Sequence, residues 1–235
     1  MLVGAAMRRR AILFDIDGTL VDSNDAHVEA WQKAFALEGY AFSRTKIHTQ
    51  VGKGGDNLVP SLLPDTPTGI QERIAQAEGD IYKRDYLMRV EPFAGAKEML
   101  KDLVQRGHTI VLASSASRME VDHYIGLLDA EGLLSGATSK DDVARSKPCP
   151  DIFTAALAQT GGPAESAIVV GDTPYDVLAA RRAGIDSIAV LSGGFEEGEL
   201  LSCGPVAIYR DVAELAASYD SSPLADVHES TQELA

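Results

Sequence analysis

Cysteine is scarce. Cys149 and Cys203 are the only two in 235 residues, and they stand in unrelated contexts without CxxC or CxxH spacing, so neither a disulfide framework nor a zinc site is indicated. A reducing, cytoplasmic compartment fits such a chain. Positive charge is short as well, with 21 Lys and Arg against 35 Asp and Glu for a formal net charge of -14. That balance argues against nucleic acid and against an anionic membrane as partners. Any phosphate-bearing ligand must therefore be held by local positive charge. No apolar run is long enough for a transmembrane helix. Met1 to Arg10 is a short apolar stretch followed by Arg8, Arg9 and Arg10, which reverses the order of a signal peptide. It reads as a frayed lead-in, with Met7 as an alternative start. Nothing advertises a large apolar surface, and a monomer is expected.

What the chain has is 45% hydrophobic and 24% charged residues, suited to one large domain or to a core domain carrying an insertion. Apolar β-type runs recur at Ala11 to Phe14, Thr109 to Ala113, Ala167 to Val170, Ser187 to Leu191 and Pro205 to Tyr209. Helical or loop-like sequence separates them, a pattern that predicts an α/β fold with a Rossmann-like, doubly wound parallel sheet. More than ninety residues separate the first two runs. That is too long for a crossover helix and predicts an inserted helical subdomain. Within it Val28, Trp31 and Phe35 follow helical spacing, as do Ile70, Ile74, Ala77 and Ile81. The expected division is a core of residues 1–21 and 93–219 and a helical cap of 22–92. The polar, acidic tail 220–235 is expected to be disordered.

Asp15-Ile16-Asp17-Gly18-Thr19-Leu20 follows the first apolar run. In extended chain, side chains at i and i+2 project to one side, so Asp15 and Asp17 can face one small volume at the carboxyl edge of the sheet, where open α/β sheets bind ligands. Two acids so close need a cation or a shared proton to offset their charge, and a hard divalent ion such as Mg²⁺ suits them. A turn or helix-capping cluster is the plainer alternative, since Asp, Gly and Thr are turn residues too. A calcium-binding loop fails, because the glycine comes too early and Ala26 falls where a bidentate Glu is required.

Three later segments place reactive groups beside a strand end or a helix start. Ser114 and Ser115 follow Thr109 to Ala113, where hydroxyls and backbone amides can hold phosphate oxygens or simply cap a helix. Lys147 precedes Pro148 and Pro150, which stiffen its presentation. A fixed ammonium can offset charge on a carboxylate and on a phosphoryl group, although most lysines are ordinary surface residues. Asp172 and Asp176 follow the run ending at Val170. Asp176 can cap a helix, whereas Asp172 at the strand tip has less structural excuse.

Together these four motifs, in this order and over about Ala11 to Tyr219, resemble the haloacid dehalogenase superfamily, with the insertion similar to that family's helical cap. The resemblance implies that Asp15 is the nucleophile forming an aspartyl-phosphate, and that Asp17 is general acid and then base while its backbone carbonyl binds Mg²⁺. It implies that Ser114 and Lys147 hold the phosphoryl group, and that Asp15 and Asp172 bind the metal with Asp176 behind them. Thr19, Ser115, His27 and Lys53 are further candidates for substrate contact. An acidic residue at Asp17 argues against dehalogenation and phosphonate cleavage, and the expected activity is Mg²⁺-dependent hydrolysis of a small phosphorylated metabolite. The alternative is a sugar phosphomutase resembling β-phosphoglucomutase, to which His27 and Trp31 are similar. The loop Val51 to Gly55, however, has glycine where that enzyme carries a phosphate-binding arginine, and Lys53 is the substitute available. A non-catalytic phosphoaspartate module is the third reading, weakened by the cap and by Asp17.

Overall fold

The strand β1, Ala11–Phe14, lies at the centre of the sheet with all four side chains buried. A computed structural model of the chain describes residues 10–225. The two-residue strands β2, Val21–Asp22, and β3, Glu91–Pro92, pair with each other, Val21 against Pro92 and Asp22 against Glu91. The remaining strands are β4, Thr109–Ala113; β5, Gly136–Thr138; β6, Ala167–Gly171; β7, Asp186–Val190; and β8, Ala207–Tyr209. With β1 they form one parallel sheet in the order β5-β4-β1-β6-β7-β8. The Ala-Ile-Leu-Phe, Thr-Ile-Val-Leu-Ala and Ala-Ile-Val-Val-Gly runs have no polar alternation because both faces of the sheet are covered. Ile12, Phe14, Ile110, Leu112, Ile168 and Val170 enter one core, while Ala11, Leu13, Val111, Ala113, Ala167 and Val169 enter another, as the two-residue period of a strand requires.

Register places the site. Phe14 lies level with Leu112 on one side and with Val170 on the other. The residues that follow, Asp15, Ala113-Ser114 and Gly171-Asp172, therefore emerge together at the carboxyl edge. The chain direction divides there, since β1 sits between β4 and β6, and such a switch point opens a crevice.

Four helices fill the chain between β2 and β3: α1, Asn24–Leu37; α2, Arg44–His48; α3, Gly55–Leu62; and α4, Thr68–Asp85. Val28, Trp31, Ala34 and Phe35 of α1 and Ile74, Ile81 and Tyr82 of α4 are buried, and they meet because each set recurs on one helical face. Trp31 packs on Phe35 with its ring tilted by 35°, and Phe35 meets Phe42 edge to face, with centroids 5.7 and 4.9 Å apart. Both crossings of the chain run through the β2-β3 pair, so this helical layer is tied to the sheet at one short hinge.

Around the sheet lie α5, Ala96–Gln105; α6, Arg118–Leu127; α7, Asp151–Thr160; α8, Pro174–Arg182; α9, Glu197–Cys203; and α10, Val212–Ala217. The last strand begins at Ala207 rather than Pro205, and β7 runs one residue earlier than its apolar run, ending at Val190. The acidic end, expected to be disordered from Asp220, is packed through Ala225. Ser222 and Leu224 are buried, and the Arg10 guanidinium donates to the Pro223 carbonyl. Arg10, expected in a frayed lead-in, is buried as well. Met7 and the rest of 1–9, and the tail 226–235, lie outside the described residues.

Candidate active site

Asp15 leaves β1 into the carboxyl-edge crevice and is 4% exposed. Its Oδ1 accepts a hydrogen bond from Lys147 Nζ, and the same ammonium lies 2.7 Å from Asp176 Oδ1. Lys147 is itself 1% exposed, so its charge is spent on two carboxylates rather than on water. Burial works against the ammonium, but Asp15 and Asp176 outweigh it and hold its pKa above the ordinary lysine range. Asp172 is completely buried. It accepts from Thr19 Oγ1 at 3.0 Å and from Asn24 Nδ2 at 2.9 Å. Gly18 and Gly193 close around it, since a Cβ on either would come within 2.2 or 1.7 Å of its Oδ2.

Asp15, Asp172 and Asp176 bring carboxylate oxygens within 4.8 Å of one another. Three buried carboxylates against one ammonium leave about two negative charges uncompensated, which is costly in a low-dielectric pocket. The molecule registers that cost in the pKa of Asp15, pushed up to about 7 by burial and by Asp176 and Asp17 despite Lys147. Asp172 is likewise raised well above its usual range by burial and by Asp176 and Asp15. An all-oxygen cluster short by two positive charges fits a hard divalent cation such as Mg²⁺.

Asp17 is separate from that cluster and has its own partners. Its Oδ1 accepts from Ser23 Oγ at 2.6 Å and from Tyr124 Oη at 2.9 Å, and His27 Nε2 is 3.3 Å away. Ser114 Oγ donates to Oδ2 at 3.3 Å. Burial raises the Asp17 pKa, but His27, Ser23 and Tyr124 bring it down to about 2. The imidazole is pinned on its other side by Glu78, whose Oε1 lies 2.9 Å from Nδ1. It also stacks on Tyr82 with ring centroids 3.7 Å apart. Burial disfavours the imidazolium, yet Asp17 and Glu78 prevail and push the His27 pKa up to about 10.

A cavity of about 650 Å³ opens above these groups, with Asp15, Asp17 and His27 on its floor and Trp31, the Val51 to Asp56 loop and α4 on the cap side. Cap and core are joined around its rim. Asn57 Nδ2 donates to the Ser146 and Lys147 carbonyls at 3.0 and 3.2 Å, and Ser146 N donates to Asp56 Oδ2 at 3.2 Å. His48 Nε2 meets the Gly193 carbonyl at 2.9 Å, and Tyr175 Oη donates to the Thr49 carbonyl.

The expected residues thus converge, with three adjustments. Thr19, expected to touch substrate, is fully buried and spends its hydroxyl on Asp172 below the cavity, because it turns back under the strand tips. Asp176, expected behind the metal ligands, stands among the clustered acids while its Oδ2 also caps α8 through Thr173. The carboxylate of Asp17 is not in that cluster, so only its backbone carbonyl remains for metal. Ser115 and Lys53 line the cavity. Ser114 lies just beneath, fully buried. Sequence reasoning missed Ser23, Asn24, Glu78 and Tyr124. Glu78 left one signal, since it sits four residues after Ile74 and three before Ile81 on a face otherwise apolar.

A doubly wound sheet with clustered acids at its switch point and a helical cap hinged over them defines a class of capped α/β enzymes. Residues 12–190 match the family model described as haloacid dehalogenase-like hydrolase, and the chain belongs to that family and is a hydrolase. Among its relatives, a phosphoglycolate phosphatase of Rhodospirillum rubrum is 28% identical over 218 residues, 88% of this chain and 89% of the relative. Among solved structures, a hydrolase from Pseudomonas syringae superposes with a TM-score of 0.85 at 30% identity, covering 91% of this chain and 99% of the other. A candidate beta-phosphoglucomutase from Bacteroides vulgatus superposes at 0.83 with 24% identity, covering 92% and 89%, a likeness of fold.

Proposed function

We propose that this protein is a Mg²⁺-dependent phosphatase acting on a small phosphorylated metabolite through an aspartyl-phosphate on Asp15. The observation that carries the reading is the placement of Asp15 at the cavity floor, paired with a buried Lys147, beside a second acid held in a separate network. The paired ammonium keeps one oxygen of Asp15 oriented, which leaves the other for attack on phosphorus. In the first step a bond forms from Asp15 to phosphorus and the ester P–O bond breaks. The departing oxygen takes the proton shared by Asp17 and His27. In the second step the Asp17 carboxylate, its His27 partner now neutral, removes a proton from water as the water oxygen attacks phosphorus, and Asp15 is released. Lys147 and Ser114 offset charge on the phosphoryl oxygens throughout.

Asp15, Asp172, Asp176 and the Asp17 carbonyl would hold Mg²⁺, which supplies shielding between an anionic nucleophile and an anionic substrate. The 22–92 cap would close the site against water. Free, unpaired cysteines agree with a cytoplasmic monomer. The relative's name, phosphoglycolate phosphatase, supports the monoester class. The test is release of phosphate from p-nitrophenyl phosphate with and without Mg²⁺. Turnover that requires the ion and disappears in Asp15→Asn is expected; activity unchanged in Asp15→Asn would sink the reading.

A further inference from the structure

We infer that the alcohol released by this enzyme is hydroxyl-rich and carries no negative charge: a sugar, a cyclitol or their amino derivatives, rather than a carboxylic acid or a second phosphate. The inference rests on the phosphatase reading and deepens it, because it concerns the part of the same cavity that the phosphoryl group does not fill. With about 650 Å³ available, the leaving group has far more room than a two-carbon acid occupies, within the size range of sites for whole small molecules.

The charge of that space is one-sided. Glu72 and Asp56 approach from the cap and Glu120 from the core, while Glu78 is matched by His27 at 2.9 Å. Glu72 is exposed on α4, and among the described residues no cation pairs with it. A second anion placed among these groups would meet like charge on both walls, which costs more in a cleft than on an open surface. The cap's four arginines do not relieve this. Arg44 is paired with Asp25 and Glu29, Arg73 with Glu38 and Arg84 with Asp85, and none of these, nor Arg89, lines the cavity.

Lys53 is the cap lysine in the lining, and its donors are already engaged. Its Nζ donates to Gln50 Oε1 at 2.6 Å and to Ser61 Oγ at 3.1 Å, and it lies 4.7 Å above the Tyr175 ring. From the core, Lys140 and Asp141 reach the rim side by side, both exposed, so solvent screens the two alike. The remaining polar groups of α4 are the Glu72 carboxylate, the Thr68 hydroxyl and the amides of Gln71 and Gln76. Gln71 and Gln76 each spend one amide N–H, on the Leu63 carbonyl at 2.9 Å and on Asp80 at 3.0 Å, and keep the other beside their amide oxygens. A wall of carboxylate, hydroxyl and amide groups is matched by a ligand whose own groups both donate and accept. Hydroxyl groups supply donors without charge, and an ammonium supplies both donors and the complementary sign.

The experiment compares kcat/KM, with Mg²⁺ present, for p-nitrophenyl phosphate, glucose 6-phosphate, glucosamine 6-phosphate, 2-phosphoglycolate and inorganic pyrophosphate. At least one of the two hexose phosphates is expected to exceed phosphoglycolate and pyrophosphate by about tenfold or more; the glucose and glucosamine arms separate a neutral from a cationic preference. Glu72→Lys is expected to raise the phosphoglycolate to hexose phosphate ratio by about tenfold. Phosphoglycolate or pyrophosphate as the better substrate, or a ratio unmoved by Glu72→Lys, overturns the inference while p-nitrophenyl phosphate turnover leaves the phosphatase reading standing. No hydrolysis of any member overturns both.

Discussion

Lys147 has its whole side chain out of water and its ammonium between Asp15 and Asp176. Charge pairs of this kind contribute little beyond what an apolar replacement of all members would, but removing one member strands the others. Lys147→Met therefore destabilises the fold by about 3–5 kcal/mol, the range for breaking a buried pair, as read from urea unfolding in the absence of divalent metal. The same variant loses the charge set against the phosphoryl oxygens, so kcat falls by roughly 10²-fold or more. Unchanged stability would mean that Lys147 is held by something other than its two acids. At this scale the sequence announced the acids and the lysine, because Asp15 and Asp172 stand where strands end and Lys147 stands ahead of two prolines that lead into a helix. It could not announce Tyr124 or Asn24, whose roles depend on which distant residue the fold sets beside them: Tyr124 is 107 positions from Asp17 and Asn24 is 148 from Asp172.

Among the elements, the loop from Val51 to Gly55 leads into α3 and carries the cap onto the core. Gly54 has no room for a side chain, since a Cβ would come within 2.1 Å of Ser146 Oγ and 2.5 Å of Ser146 Cβ. The contact adjoins the bonds from Asn57 to the Ser146 and Lys147 carbonyls, so Gly54→Ala pushes the loop away from the segment that presents Lys147. We expect kcat/KM for p-nitrophenyl phosphate to fall by about tenfold or more, in line with the cost of a misplaced catalytic constellation. The circular dichroism spectrum stays as in the wild type. Wild-type kinetics in Gly54→Ala would show that the loop does not need this close approach. The central strands were legible because they are short, continuous apolar runs. The edge strand β5, Gly-Ala-Thr with two of its three residues half-buried, has no such run, and the pair β2-β3 is too short for any period. Only the sheet register reveals them.

For the molecule as a whole, the seam between the first strand and the chain's far end sets a pH dependence. His108 Nδ1 donates to the Arg10 carbonyl at 3.2 Å, and its Nε2 lies 2.6 Å from the Tyr219 hydroxyl, so the neutral ring satisfies both partners. Burial, aided by Arg106 and Arg10, depresses its pKa below 6.5. The unfolded chain then binds a proton more readily than the folded one, so this contribution is fully present above the ordinary histidine pKa and is lost as pH falls through the folded value. Between about pH 7.5 and about pH 5.5, Tm should fall more steeply in wild type than in His108→Gln. The comparison between variants matters because Asp15, with its raised pKa, contributes with the opposite sign. Equal slopes would remove His108 from the account. This seam was invisible in the sequence, where the polar composition after Asp220 concealed the buried Ser222 and Leu224.

The central claim is that phosphorus is transferred to Asp15 and then to water activated by Asp17, and a trapping experiment in Asp17→Asn tests it most directly. p-Nitrophenolate leaves without needing a proton, whereas the attack of water needs a base. With Mg²⁺ and p-nitrophenyl phosphate, this variant should release a burst of about one p-nitrophenolate per enzyme and then stall. Acid quenching and peptide mass spectrometry should find one phosphoryl group on the peptide that contains Asp15. Steady turnover without a burst, or a phosphoryl group on any other residue, would contradict the account.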